Sequence, residues 1–98
     1  MIRSFRDAAT EDLFNGKASK AARQRLPQQL WRICARKLDA INQADVLEDL
    51  KVPPGNRLEL LKGDRAGQHS IRINDQFRIC FTWREDHAED VDITKHYE

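Results

Sequence analysis

The chain reads as an α+β domain in which helices precede an antiparallel sheet, and three observations carry that reading. Apolar residues recur at helical spacing between Leu30 and Ile41, and they alternate with polar ones in the segments between Arg57 and Tyr97. Between the two patterns stands Pro53-Pro54-Gly55-Asn56, which cannot continue a helix. With 98 residues the chain is expected to form a single domain over 1–98, enough for one core without staples. A composition of 40% apolar and 34% charged residues excludes a disordered tail. No run approaches the ~20 apolar residues that a helix needs to cross lipid, so no membrane partner is expected. Charge enters at Arg3 with no apolar stretch of the signal-peptide kind behind it, and the expected location is the cytoplasm.

Ile2 to Phe5 alternates as a short strand would, and Asp7 then offers an N-cap to a helix that ends near Asn15-Gly16. Pro27 suits the first turn of a second helix, whose buried stripe is Leu30, Ile33, Cys34, Leu38 and Ile41 and which reaches about Asn42. Trp31 borders that stripe as packing. One further turn fits Val46 to Leu50. Beyond the Pro-Pro break, strands are expected over Arg57 to Lys62, Gln68 to Ile73, Phe77 to Arg84 and Val91 to Tyr97, forming a meander. The two cysteines, Cys34 and Cys80, have no Cys-x-x-Cys or histidine partner nearby and are expected to be separate buried thiols.

Register follows from parity. Apolar residues are odd-numbered in both Gln68 to Ile73 and Phe77 to Arg84, so their loop must hold an odd number of residues if both sets are to face one core. A loop of Asn74-Asp75-Gln76 meets that condition, pairing Ile71 with Ile79 and His69 with Phe81, and setting Arg72 opposite Arg78 on the polar face. Like charges so placed repel by tenths of a kcal/mol unless solvent or an anion lies between them, and a phosphate would serve. Removing either arginine is then expected to leave the fold as stable or slightly more so. Asp92, Thr94 and His96 share that face with Arg57 and Glu59, so a basic surface holds a carboxylate and an imidazole suited to general acid and base work. The alternative is an ordinary solvated sheet face. His69 is expected to pack in the core, and His87 to lie in a turn without a catalytic role.

A net charge of +1 conceals segregation: Lys17 to Leu38 holds seven basic residues and no acid, whereas Asp39 to Leu50 holds four acids and no base. The basic block, with Arg23, Arg25, Arg32 and Arg36, is either a surface for a polyanion or acidic partner, or a solvated helix face.

These residues carry a resemblance. Ile2-Arg3-Ser4-Phe5, Thr10-Glu11-Asp12-Leu13-Phe14, Arg36-Lys37-Leu38, Pro53-Pro54-Gly55-Asn56-Arg57-Leu58-Glu59, Leu61-Lys62-Gly63-Asp64-Arg65-Ala66-Gly67, Ser70-Ile71-Arg72-Ile73-Asn74 and Arg78-Ile79 resemble the host-inhibition-of-growth toxins, or plasmid maintenance killer proteins, of the RelE superfamily. The resemblance runs nearly end to end. It implies a RelE-like α+β domain, an N-terminal strand and two helices on one face of a twisted, mainly antiparallel sheet of four to five strands. It also implies the toxin of a type II toxin-antitoxin pair, a metal-independent endoribonuclease without cofactor that cleaves mRNA in the ribosomal A site. A helix-turn-helix antitoxin would neutralise it and alone connect it to operator DNA.

Carried over by residue, the resemblance makes Lys62 and Arg78 cations of RNA cleavage, with Arg72 on the matching strand. Some members have histidine where this chain has Glu59, and many end in Asp-Tyr-His where this chain ends in Lys95-His96-Tyr97-Glu98. His96 thus takes the place of the family tyrosine and Tyr97 that of its terminal histidine. The implied roles are Glu59 or His96 as base, Arg72 and Arg78 as phosphate stabilisers, Lys62 as a further cation, and Tyr97 or Lys95 as acid or substrate contact. Arg23, Arg25, Arg32, Arg36, Arg57, Arg65 and Lys95 would meet RNA or the ribosome. The competing reading is a non-catalytic binding protein that acts with its antitoxin as corepressor on operator DNA.

Overall fold

The N-terminal segment joins the edge of the sheet. In the computed structural model, which describes residues 1–95, Ile2 and Phe5 form isolated parallel bridges to Ala88 and Val91. The Arg3 N–H donates to Ala88 O at 2.8 Å and the Arg6 N–H to Val91 O at 2.9 Å. Helix α1 spans Ala8–Phe14. Asp7 caps it by accepting the Thr10 N–H at 2.9 Å, and Gly16, at φ +73°, takes the left-handed conformation just past its end.

Both expected helices are present, and a third lies between them. Helix α2, Lys20–Arg25, is capped by Ser19, whose Oγ accepts the Ala22 N–H at 3.1 Å and donates to Asp12 at 2.6 Å. Helix α3, Trp31–Gln43, buries Cys34, Leu38 and Ile41 as the spacing predicts. Pro27 precedes a 3-10 turn, Gln28–Leu30, so the α-helix begins later than expected. Trp31 anchors the start, its Nε1 donating to Leu26 O at 2.9 Å.

Strands β1 (Glu59–Leu60), β2 (His69–Arg72), β3 (Phe77–Arg84) and β4 (His87–Lys95) pair in chain order, each antiparallel to the next. The β2–β3 register is the one parity predicts, with His69 opposite Phe81, Ile71 opposite Ile79 and Arg72 opposite Arg78. By contrast, β4 begins well before Val91. Arg84 pairs with His87 across a Glu85-Asp86 turn, so His87 is a strand residue, and it is buried. Between the pairs Thr82–Glu89 and Cys80–Asp92 the ladder slips, with Asp90 at φ +53°. This β-bulge returns Val91 and Ile93 to the core side, which a continuous ladder would have turned outward.

Helices and sheet meet in one core of Leu13, Leu26, Leu38, Ile41, Ile71, Ile79, Phe81, Val91 and Ile93. Cys34 and Cys80 are buried and free, as expected. His69 stacks on Phe81 at 6.4 Å, and burial lowers its pKa. No helix among the described residues is long and apolar enough to cross a membrane.

Candidate functional site

The other face of the sheet departs from the simple alternation. The ladders place Glu59, Ser70, Cys80 and Asp92 in one row across the four strands, and of these Ser70, Cys80 and Asp92 are buried. The cover is the loop joining β1 to β2, which contains the 3-10 turn Gly63–Arg65. Arg65 reaches across β2 and β3 to fork onto Asp92, Nη1 to Oδ1 and Nη2 to Oδ2 both at 3.0 Å. Its Nη1 also donates to Gln68 Oε1 at 3.0 Å. Between this loop, the sheet and the end of α2 opens a cleft of about 740 Å³. Arg25, Lys62, Arg65, Arg78 and Lys95 line it with Asp64, while Cys80 and Thr94 contribute to its floor.

Arg78 is the most enclosed of these cations. Its Nη1 donates to Ser70 Oγ and its Nη2 to Glu59 Oε1, both at 2.9 Å. The Arg78 side chain is 9% exposed and that of Glu59 is 50% exposed, so one end of the pair faces solvent. Arg72 turns elsewhere, to Asp75 of the hairpin loop, and does not line the cleft. The arginines are thus opposite in register but separately neutralised, and the repulsion anticipated from the bare pairing is already relieved. The charge of Arg72 is felt instead at Lys37, whose pKa is lowered by burial and then by that guanidinium. The Lys37 Nζ donates to Asn56 Oδ1.

The basic block is divided by the fold. Arg25 enters the cleft, its Nη1 donating to Asp7 Oδ2 at 2.6 Å and to Ile93 O at 3.2 Å. Burial alone would raise the Asp7 carboxyl, but the Thr10 N–H and then Arg25 outweigh it and hold the group below its ordinary 3.8. Arg23, Arg32, Arg36 and Arg57 lie exposed outside the cleft. Arg36 borders a second cavity of about 310 Å³ with Ile33, Lys37, Ala40, Pro53 and Asn56. His96 and Tyr97 lie outside the described residues, next to Lys95, which lines the cleft. Among the described residues no group of three His, Cys, Asp or Glu is placed to hold a metal ion. Ser70 and Asp64 were not singled out by sequence, and Asp92 was placed only on the polar face. The one signal is the parity that sets Ser70 and Asp92 on a common face with Arg78; Asp64, a loop residue, has none.

The molecule is thus a small α+β domain with helices packed on an antiparallel sheet and a cation-lined cleft between the sheet, the β1–β2 loop and the end of α2. Residues 3–96 match the model of the HigB-like toxins, described as the RelE-like toxin of the type II toxin-antitoxin system HigB, and the chain belongs to that family. It is 41% identical over 58 residues to Toxin HigB-1 of Vibrio cholerae serotype O1, a match that covers 59% of this chain and spans 61% of that toxin's length. An uncharacterized protein of Haemophilus influenzae is 33% identical over 72 residues, covering 74% of this chain and 71% of that one. Among solved structures, the YoeB-YefM complex from Staphylococcus aureus matches with a TM-score of 0.60 at 16% identity, covering 99% of each chain. The YoeB dimer from the same organism matches with a TM-score of 0.60 at 15% identity, covering 99% of this chain and 98% of that one. These two likenesses concern the fold.

Proposed function

We propose that this toxin is an endoribonuclease that works in the cytoplasm on mRNA in the ribosomal A site and needs no metal. A helix-turn-helix antitoxin restrains it and connects it to operator DNA. The observation that carries this reading is Arg78, held between buried Ser70 and half-exposed Glu59 at a cleft lined by further cations. Guanidinium stays charged at cellular pH and matches phosphate oxygens in fork geometry. A phosphate entering the cleft competes with Glu59 for the Nη2 side of Arg78, while Ser70 keeps the Nη1 side in place.

The exchange leaves the Glu59 carboxylate beside the scissile phosphate, where it takes the proton of the ribose 2′-hydroxyl; His96 is the alternative base. The 2′-oxygen bonds to phosphorus, the bond to the 5′-oxygen breaks, and Tyr97 or Lys95 returns a proton to that leaving oxygen. Lys62 and Arg78 offset the charge that develops on the non-bridging oxygens. Arg72 contributes from the hairpin if the substrate displaces Asp75. Arg65 supports the cleft wall, and the exposed Arg23, Arg32, Arg36 and Arg57 meet ribosomal RNA or the acidic surface of the antitoxin.

The test compares one message free in solution with the same message on translating ribosomes, each incubated with the purified chain. Cleavage confined to the ribosome-bound message is the expected result. Intact message in both, together with binding of operator DNA only when the antitoxin is added, would replace this reading with the corepressor.

A further inference from the structure

We infer that Asp92 is a positioning residue of the cleft: by gripping Arg65 it sets where Lys62 stands relative to Arg78. This rests on the cleft being the RNA-cleaving site. The loop that carries Lys62 connects β1 to β2, yet its tether is on β4, two strands further across the sheet. The backbone bonds of the turn are local, Ala66 N–H to Gly63 O and Gln68 N–H to Arg65 O, both at 3.0 Å. Gly63 at φ +67° opens it and Gly67 at φ +89° follows it, so residues with wide conformational freedom stand at both ends of the segment. Among the described residues, the Arg65–Asp92 fork is the hydrogen-bonded link from this turn to β4.

The fork is strong in the ways that matter for positioning. Each of the two Nη nitrogens donates to its own carboxylate oxygen, which fixes orientation as well as distance. The Asp92 side chain is 6% exposed, so little water competes for it. Its hydrogen bonds, against some desolvation, raise the pKa of Arg65. Lys62 immediately precedes the turn and is exposed, so the place of its ammonium follows the place of the turn. Arg78, by contrast, is fixed from β3 by Ser70 and Glu59. The two cations therefore rest on different supports, and Asp92 sets the place of Lys62 relative to a separately fixed Arg78.

The experiment uses the full chain with Asp92→Asn or Arg65→Lys, each alone and combined with Lys62→Ala. Two readouts are taken, amide hydrogen exchange over residues 62–67 and the rate of cleavage of a ribosome-bound message. The expected results are faster exchange in that segment and a roughly tenfold slower cleavage in the wild-type background, with less than about a twofold further loss in the Lys62→Ala background. Asp92→Glu, which restores a carboxylate, should recover part of both. Unchanged exchange, or the same tenfold loss in both backgrounds, overturns the inference. If Asp92→Asn does not fold, Arg65→Lys decides, because it keeps the charge and loses only the fork. If the wild-type chain cleaves nothing, the cleavage reading fails and the exchange measurement still decides whether Asp92 holds the loop.

Discussion

Arg72 and Arg78 stand directly opposite one another in the β2–β3 ladder, yet their guanidiniums are taken by different carboxylates, Asp75 and Glu59. Asp75 belongs to the hairpin that joins the two strands, whereas Glu59 comes from the edge strand and shares the cleft side of the sheet. One register therefore yields an outward ion pair at the hairpin and a partly buried one at the cleft. The partly buried pair is the one whose opening, under the proposed function, admits a phosphate.

Removal of the two arginines should separate in stability. Arg78→Ala leaves the fully buried Ser70 hydroxyl without its donor, and we expect a loss of about 1–3 kcal/mol in urea unfolding. Arg72→Ala removes an exposed pair and should shift stability by no more than about 0.5 kcal/mol. Equal effects would mean that Ser70 and Glu59 do not hold Arg78 in solution.

Charge reversal on α3 tests the exposed part of the basic block. Arg32 and Arg36 both lie on the surface of that helix, so changing both to Glu should weaken binding to the ribosome or to the antitoxin, with a reduced salt dependence of binding. Unchanged affinity for both partners would assign these arginines to the solvated helix face.

Acid should act through Asp7. The folded pKa of this group lies below its ordinary value of 3.8, so it contributes stability fully above that value and loses the contribution as pH falls through the lower folded one. Asp7→Asn keeps a capping side chain but removes the charge that meets Arg25. Its melting temperature should fall less steeply with pH below about 4 than that of the wild type. Parallel curves would show that the Asp7–Arg25 pair is not formed in solution.

The cysteines should resist thiol reagents until the chain unfolds. Burial pushes the Cys34 thiol up to about 12, and burial likewise raises Cys80, so neither supplies thiolate at neutral pH. Labelling with an aromatic disulfide reagent should be slow in buffer and should reach two equivalents in denaturant. Rapid labelling of the native chain would contradict the packing of both residues.

What could be read from the sequence was governed by periodic burial. The run Phe77 to Arg84 and its partner strand alternate cleanly, so parity alone placed Arg72 opposite Arg78. Helix α2 escaped because Ala22 is its one buried residue, too little to make a stripe. The strand expected over Arg57 to Lys62 contracts to Glu59–Leu60 because Arg57 takes a left-handed conformation at φ +47° and ends the preceding turn. The cleft wall escaped for a different reason. Arg65 and Asp92 are 27 positions apart, and nothing in either local pattern shows that the loop folds over a face that alternation alone would leave in water. Arg78 and Lys62 were thus accessible as residues, while their enclosure and their supports were tertiary facts.

Under the proposed function Arg78, held by Ser70 and Glu59, is the phosphate-binding cation of an RNA-cleaving cleft. Mapping the 5′ ends of cellular RNA after a short induction, with the wild-type chain and with Arg78→Ala side by side, decides whether it has that role. The wild type should produce new 5′ ends within translated coding regions and arrest growth. Arg78→Ala, shown to be folded and to bind antitoxin, should produce neither, as expected from the loss of roughly 2.7–4 kcal/mol of transition-state stabilisation. A folded Arg78→Ala protein that generates the same ends at the wild-type rate would show that Arg78 is not that cation.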